Sequence, residues 1–217
     1  MNYRNSLDEN ERSRISKSRI CVAGCGGLGG YVSEYLLRLG VGQLVAVDGD
    51  VFSESNLNRQ LLCKKENLGS SKAEAVKNRA EEINSTSEVL AVSEYLTAEN
   101  AEKIISGCDL VIDALDNIEA RRVLHSACSK QGLPMVFGAI GAWKVQYGVL
   151  MPDCKFLDRL EEMPEYHGED MLSFVPAMCA SYQVAEAVKL LCIGKSEFEN
   201  KLCDIDLIAN ETIIIEL

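Results

Sequence analysis

The run "RICVAG" (19–24) is β-branched and apolar and stops at glycine, so it reads as a buried strand. "CGGLGG" follows directly, and then Leu28, Tyr31, Val32, Tyr35, Leu36 and Leu39 recur at helical spacing until Gly40 ends the pattern. "QLVAVD" (43–48) is a second buried strand. Strand, glycine loop, helix and strand in that order make a complete βαβ unit, which commits the chain to a parallel sheet.

The alternation continues downstream. "SSKAEAVKNRAEEIN" (70–84) reads as a helix with Val76, Ala80 and Ile83 on one face, "EVLAVSEY" as a strand and "AENAEKIIS" as a helix. "DLVIDAL" (109–115) is a buried strand, 117–131 a helix and "LPMVFGA" (133–139) a strand. From about 143 the rhythm changes. "WKVQYGVLM", "KLCDIDLI" and "ETIIIEL" read as antiparallel strands, interrupted by a helix near 176–193 with Val184, Val188 and Leu191 as its buried stripe. The expected fold is therefore α/β, a Rossmann-like, doubly wound and mostly parallel sheet extended by C-terminal antiparallel strands. The first eighteen residues suit a short surface helix, and the irregular stretch 152–174 suits a binding element or lid.

Composition narrows the function classes. At 217 residues one shared core is the better prior, and a net charge of −11 excludes broad nucleic-acid binding while leaving a local basic patch open. No apolar stretch approaches the roughly 20 residues of a membrane span, and no signal peptide is visible. Nine cysteines, an odd number with no Cys-x-x-Cys pair, read as reduced thiols in a cytoplasmic protein.

Gly24, Gly26 and Gly29 make a Gly-x-Gly-x-x-Gly fingerprint, with Asp48 placed for ribose hydroxyls at the end of the second strand. Backbone amides at a helix start attract phosphate, so the motif reports a phosphate site and fits NAD and ATP equally. The next segments separate them. "DGDVFSESNLNRQLL" (48–62) brings Asp50, Asn56, Asn58, Arg59 and Gln60; Lys72 opens a helix; and "VIDALDN" sets Asp113, Asp116 and Asn117 at a strand's carboxyl end. Breaking a triphosphate makes an anionic leaving group that fixed cations such as Arg59 and Lys72 stabilise, and a carboxylate such as Asp116 can hold the magnesium bridging phosphate oxygens. This favours ATP. The plainer readings are a surface ion pair for Arg59, a solvated helix position for Lys72, a helix cap for Asp116 and structural roles for His125 and His167.

"GCGGLGGYV", "VDGDVFSESNLNRQLL", "NLGSSKAEAV", "VIDALDN" and the late "QVAEAVKLL" together resemble the ThiF/MoeB/HesA superfamily, bacterial relatives of ubiquitin-activating enzymes. The resemblance implies an ATP- and magnesium-dependent adenylyltransferase. Its substrate would be the C-terminal Gly-Gly of a ubiquitin-like sulfur carrier of ThiS or MoaD type. It further implies that Gly27 and Leu28 join Gly24, Gly26 and Gly29 in the phosphate loop, that Asp48 holds the ribose, and that Asn56, Arg59 and Lys72 hold the phosphates. Asp116 would serve the magnesium beside Asn117, and Arg4 of "NYRN" would reach the ATP of the other subunit of a homodimer. The chain then reads as one domain over 1–217, with 1–142 binding nucleotide and 143–217 binding the carrier.

Two departures shape the expectation. The place of the relatives' first zinc-binding Cys-x-x-Cys pair looks like "CKFL", with Cys154 but Leu157, so no zinc is expected. No cysteine lies between 155 and 175 to form a thioester; Cys154 and Cys179 are the nearest, and Cys179 reads as packed inside the helix. Two other readings use the same ATP residues: a dehydratase of threonylcarbamoyladenosine in tRNA, and a non-catalytic nucleotide-binding relative.

Overall fold

The structure is a computed structural model that describes residues 6–84, 86–155 and 171–217. Arg4, His167 and most of the irregular stretch before the late helix lie outside the described residues.

Helix α1 (Glu9–Lys17) starts where Asp8 accepts from the Glu11 N–H at 2.9 Å and Glu11 accepts back from the Asp8 N–H at 2.8 Å, a reciprocal cap. Strand β1 (Arg19–Ala23) runs into helix α2 (Gly27–Leu39), which Gly40 terminates in a left-handed conformation. Strand β2 (Gln43–Val47), helix α3 (Lys72–Ile83), strand β3 (Glu88–Val92), helix α4 (Ala101–Ile105) and strand β4 (Leu110–Asp113) follow. Helix α5 (Ile118–Gln131), strands β5 (Met135–Ile140) and β6 (Lys144–Leu150), helix α6 (Phe174–Cys192) and strands β7 (Lys201–Asp206) and β8 (Glu211–Glu216) complete the chain. Helix α6 begins two residues before the expected 176, because Pro176 sits in its first turn, where no N–H is needed. Its deepest stripe is Val175, Cys179, Ala180, Gln183 and Ala187, with Val184 beside it and Val188 and Leu191 only half-buried.

The strands form one sheet in the order β3-β2-β1-β4-β5-β6-β7-β8. The first five are parallel and the last three antiparallel. Period-two alternation divides the side chains between two cores. Ile20, Val22, Leu44, Ala46, Ile112 and Val136 pack with α2, α3 and α6, whereas Cys21, Ala23, Val45, Val47, Val111 and Phe137 pack with α4 and α5. Helices thus cover both faces of the parallel half. The chain leaves β1 in one direction to β2 and β3 and returns on its other side to β4, so a crevice opens beyond the carboxyl ends of β1 and β4. No described helix is long and apolar enough to cross a membrane.

One ion cluster ties α2 to α3. Glu34, 7% exposed, accepts from Arg79 Nε at 2.9 Å, Arg79 Nη2 at 3.0 Å and Arg38 Nε at 2.8 Å. Burial pushes this carboxyl up, but the hydrogen bonds from Arg79 and Arg38 outweigh it and hold it below the usual glutamate range. A lowered native pKa adds stability above the unfolded value and loses it as pH falls through the native one. Replacing Glu34 with glutamine is expected to cost about 2 kcal/mol at neutral pH, and the gap should close from about pH 5 downward. Urea melts of both proteins across that range check it; a gap that stays constant would remove the ion cluster as its source.

Candidate nucleotide-binding and active site

The loop after β1 forms the cradle. Gly24 has φ +92°, and a Cβ there would lie 2.5 Å from the Ala114 carbonyl oxygen, so the loops following β1 and β4 are in direct contact. Gly26 occupies the N-cap of α2, and no side chain caps that helix. Its first-turn amides, at the positive end of the helix dipole, are therefore left for an anion. Gly24, Gly26, Gly27 and Leu28 line a cavity of about 780 Å³ that fills the crevice. Its size suits a nucleotide.

Acidic and basic groups converge on one side. Asp48 accepts from the Cys25 N–H and the Asp50 N–H, each at 2.8 Å, which fixes both carboxylate oxygens beside the cradle. Burial raises its pKa, and the two backbone bonds oppose that rise. Lys72 is 7% exposed, and its Nζ lies 2.8 Å from Asp50 Oδ2. The other Asp50 oxygen accepts from Tyr95 Oη at 2.6 Å. Lys72 first and Tyr95 second hold the Asp50 carboxyl below its usual range. Arg59 donates through Nη1 to the Ser55 carbonyl at 3.0 Å and to Asn58 Oδ1 at 2.8 Å, and no described carboxylate pairs with it. Among the described residues no carboxylate offsets its guanidinium charge at the cavity wall.

The loop after β4 forms the facing wall. Asp113 is fully buried, and Asp116 is exposed on the cavity. Asn117, not Asp116, caps α5: its Oδ1 accepts from the Ala120 N–H at 2.8 Å. That leaves the Asp116 carboxylate available, with only Asn117 Nδ2 bonded to it among the described residues, at 3.5 Å. Leu96, Leu115, Ile118 and Val123 supply an apolar wall fit for a base. No group of three or more His, Cys, Asp or Glu among the described residues is placed to hold a metal ion. One free carboxylate suits magnesium that takes its remaining ligands from phosphate and water, as this ion commonly does.

The structure brings Gly24, Gly26, Gly27, Leu28, Asp48, Asp50, Arg59, Lys72, Asp116 and Asn117 to the cavity wall. Gly29 and Asn56 are not on it. A Cβ on Gly29 would lie 1.8 Å from the Gly24 carbonyl oxygen, so Gly29 serves the close turn that shapes the cradle. Asn56 is 8% exposed and accepts from the Ser53 N–H at 3.1 Å, which employs it in the short turn Glu54–Asn56. Two plain readings are corrected: Lys72 is buried and not solvated, and Asp116 is not the helix cap. Gln60 of the "NLNRQ" cluster also lines the cavity, as do Tyr95 and Arg121, which carry no motif signal in the sequence. None of the nine cysteines is in a disulfide. Cys179 is fully buried in α6, and burial pushes its thiol up to about 12; Cys154 is 8% exposed.

A glycine cradle at the switch point of a doubly wound sheet, with two cations and an open carboxylate around it, defines a nucleotide-binding α/β protein. The chain belongs to the ThiF family, which matches residues 2–216. It is 35% identical over 187 residues to the SAMP-activating enzyme E1 of Haloferax volcanii, covering 83% of this chain and 69% of that one. It is 33% identical over 209 residues to the sulfur carrier protein adenylyltransferase of Thermus thermophilus, covering 85% and 73%. Among solved structures, Escherichia coli MccB with ATP superposes with a TM-score of 0.83 over 95% of this chain and 66% of that chain, at 18% identity, which shows a shared fold. The E. coli tRNA N6-threonylcarbamoyladenosine dehydratase TcdA gives 0.74 over 86% of this chain and 90% of that one, at 25% identity.

Proposed function

We propose that this protein adenylates the C-terminal glycine carboxylate of a ubiquitin-like sulfur carrier of ThiS or MoaD type. The reading rests on one observation: Arg59, Lys72 and Asp116 all line the cavity built on the glycine cradle. The names of the Haloferax and Thermus relatives support it. A carrier carboxylate oxygen attacks the α-phosphorus of ATP. The new P–O bond forms as the α–β bridging bond breaks, and its electron pair leaves with pyrophosphate. The α2 amides and Arg59 hold the phosphates, Lys72 stabilises the departing charge, and Asp48 orients the ribose. Asp116 would hold the magnesium, which would supply neutralisation of the phosphate charge. No covalent nucleophile is needed from the chain for this step, only alignment. Residues 143–217 are assigned to carrier docking, the active form to a homodimer completed by Arg4, and the location to the cytoplasm, where thiols stay reduced.

A second reading, adenylation of threonylcarbamoyladenosine in tRNA, is supported by the 25% identity to the E. coli dehydratase over 86% of this chain. The charge of −11 weighs against it. ATP–pyrophosphate exchange separates the two, run with carriers ending in Gly-Gly and with modified tRNA. Carrier-dependent exchange that falls at least about 100-fold in Asp116→Ala is expected. Exchange driven by tRNA alone would transfer the assignment to the second reading, and ATP binding with no exchange by either would leave a non-catalytic binder.

A further inference from the structure

The Asp116 carboxylate makes almost no bonds of its own, yet a metal-bridging carboxylate must be held to a fraction of an ångström. Its neighbours do the holding. The Leu115 N–H donates to Asp113 Oδ1 at 3.0 Å, and the Leu115 carbonyl accepts from Arg121 Nη2. That carbonyl belongs to the peptide plane joining Leu115 to Asp116, so Arg121 orients the plane from which Asp116 projects. On the far side, the Asn117 cap fixes the next residue.

Arg121 is itself locked. It is 8% exposed, with Nη1 3.2 Å from Asp113 Oδ2, Nη2 also donating to the Gly138 carbonyl at 2.9 Å, and its guanidinium 4.7 Å from the Phe137 ring centroid. These contacts bridge β4 and β5 just where their pairing stops, after Ile112 and Val136. From the opposite face, Gln183 Nε2 donates to the Asp113 carbonyl at 2.7 Å and the Val136 carbonyl at 3.2 Å. The gap between the strands is sutured on both sides, and Leu115 is held at its donor and its acceptor.

We propose that Arg121 is a positioning residue that sets Asp116 for the divalent cation accompanying the nucleotide. It acts through the Leu115 carbonyl and needs a planar fork: a lysine keeps the charge beside Asp113 but cannot span Asp113, Leu115 and Gly138 together. Outer residues that orient a metal ligand are commonly worth 10- to 100-fold in metal affinity. The inference rests on the nucleotide reading above.

The test is ATP binding by calorimetry to the full chain, in EDTA and in Mg²⁺. The wild type should bind ATP more tightly with the metal, and Asp116→Ala should lose that gain. Arg121→Lys should lose about tenfold of it while its metal-free affinity stays within about twofold. Arg121→Lys with the full metal gain overturns the proposal. An equal loss with and without metal overturns it as well, because Arg121 would then be supporting the fold or touching the nucleotide. If Arg121→Lys does not fold, Asp113→Asn replaces it: the Leu115 acceptor stays and the ion pair goes, and the same selective loss is expected. A wild type that binds no ATP overturns the nucleotide reading and this inference with it.

Discussion

Lys72→Met is expected to lower carrier-dependent ATP–pyrophosphate exchange by about 10²- to 10³-fold, the usual cost of removing one preorganised donor from a developing anion. Lys72 Nζ lies at the cavity wall, 2.8 Å from Asp50, which occupies one of its three donors and leaves the others for phosphate. Methionine preserves the apolar stem in a side chain only 9% exposed. The abandoned Asp50 carboxylate is 46% exposed and keeps its bond from Tyr95 Oη, so its charge remains solvated and the variant folds. Thermal melting should therefore move little while exchange collapses. An exchange rate within about threefold of wild type would make Lys72 the structural partner of Asp50 and nothing more. Losses in Lys72→Met and Arg59→Met should be less than additive if both cations act on the same leaving group.

Much of this site could be read from the chain because its signals are local. The glycine loop, the aspartate ending β2 and the aspartate–asparagine pair ending β4 each lie at a strand-to-helix junction, and parallel pairing of β2, β1 and β4 brings those junctions together. What the sequence concealed depends on contacts between distant segments. Tyr95 reads as the end of the strand "EVLAVSEY", but that strand stops at Val92 and leaves Tyr95 67% exposed, where its hydroxyl bonds Asp50, 45 residues upstream, in the Asp50–Lys72 pair. Arg121 resembles any helix arginine until Gly138, on another strand, presents its carbonyl to it. Asn56 has a part that its motif does not disclose, since its Oδ1 accepts from the Ser53 N–H in a turn three residues long. Helix α4 shows the same limit: nine residues of helical pattern yield five of helix, because Asn100 spends its Oδ1 on the Thr97 N–H at 2.8 Å and does not cap.

Two neighbouring glycines in α2 carry opposite expectations, and the pair isolates what the third fingerprint glycine does. On helix propensity alone, alanine at either position should stabilise by up to about 1 kcal/mol. At Gly30 the nearest foreign atoms to a new Cβ are 3.8 Å away, ordinary contact, so Gly30→Ala should follow propensity and bind ATP normally. At Gly29 the new Cβ would sit 1.8 Å from the Gly24 carbonyl oxygen and 3.2 Å from Ala114 Cβ. Neither is the end of a flexible side chain. The β1–α2 turn would have to open, moving the Gly24 backbone off the β4 loop it touches. Overpacking against backbone is expected to cost about 3 kcal/mol, a fall of roughly 6–12 °C in Tm for a domain of this size. ATP affinity should fall with it, because the amides of the cradle move with the turn. Calorimetric melts and ATP titrations of both variants give the answer. If Gly29→Ala melts with Gly30→Ala and still binds ATP, the close approach of Gly29 to Gly24 is not what shapes the cradle, and the fingerprint's third glycine has no mechanical part in holding phosphate.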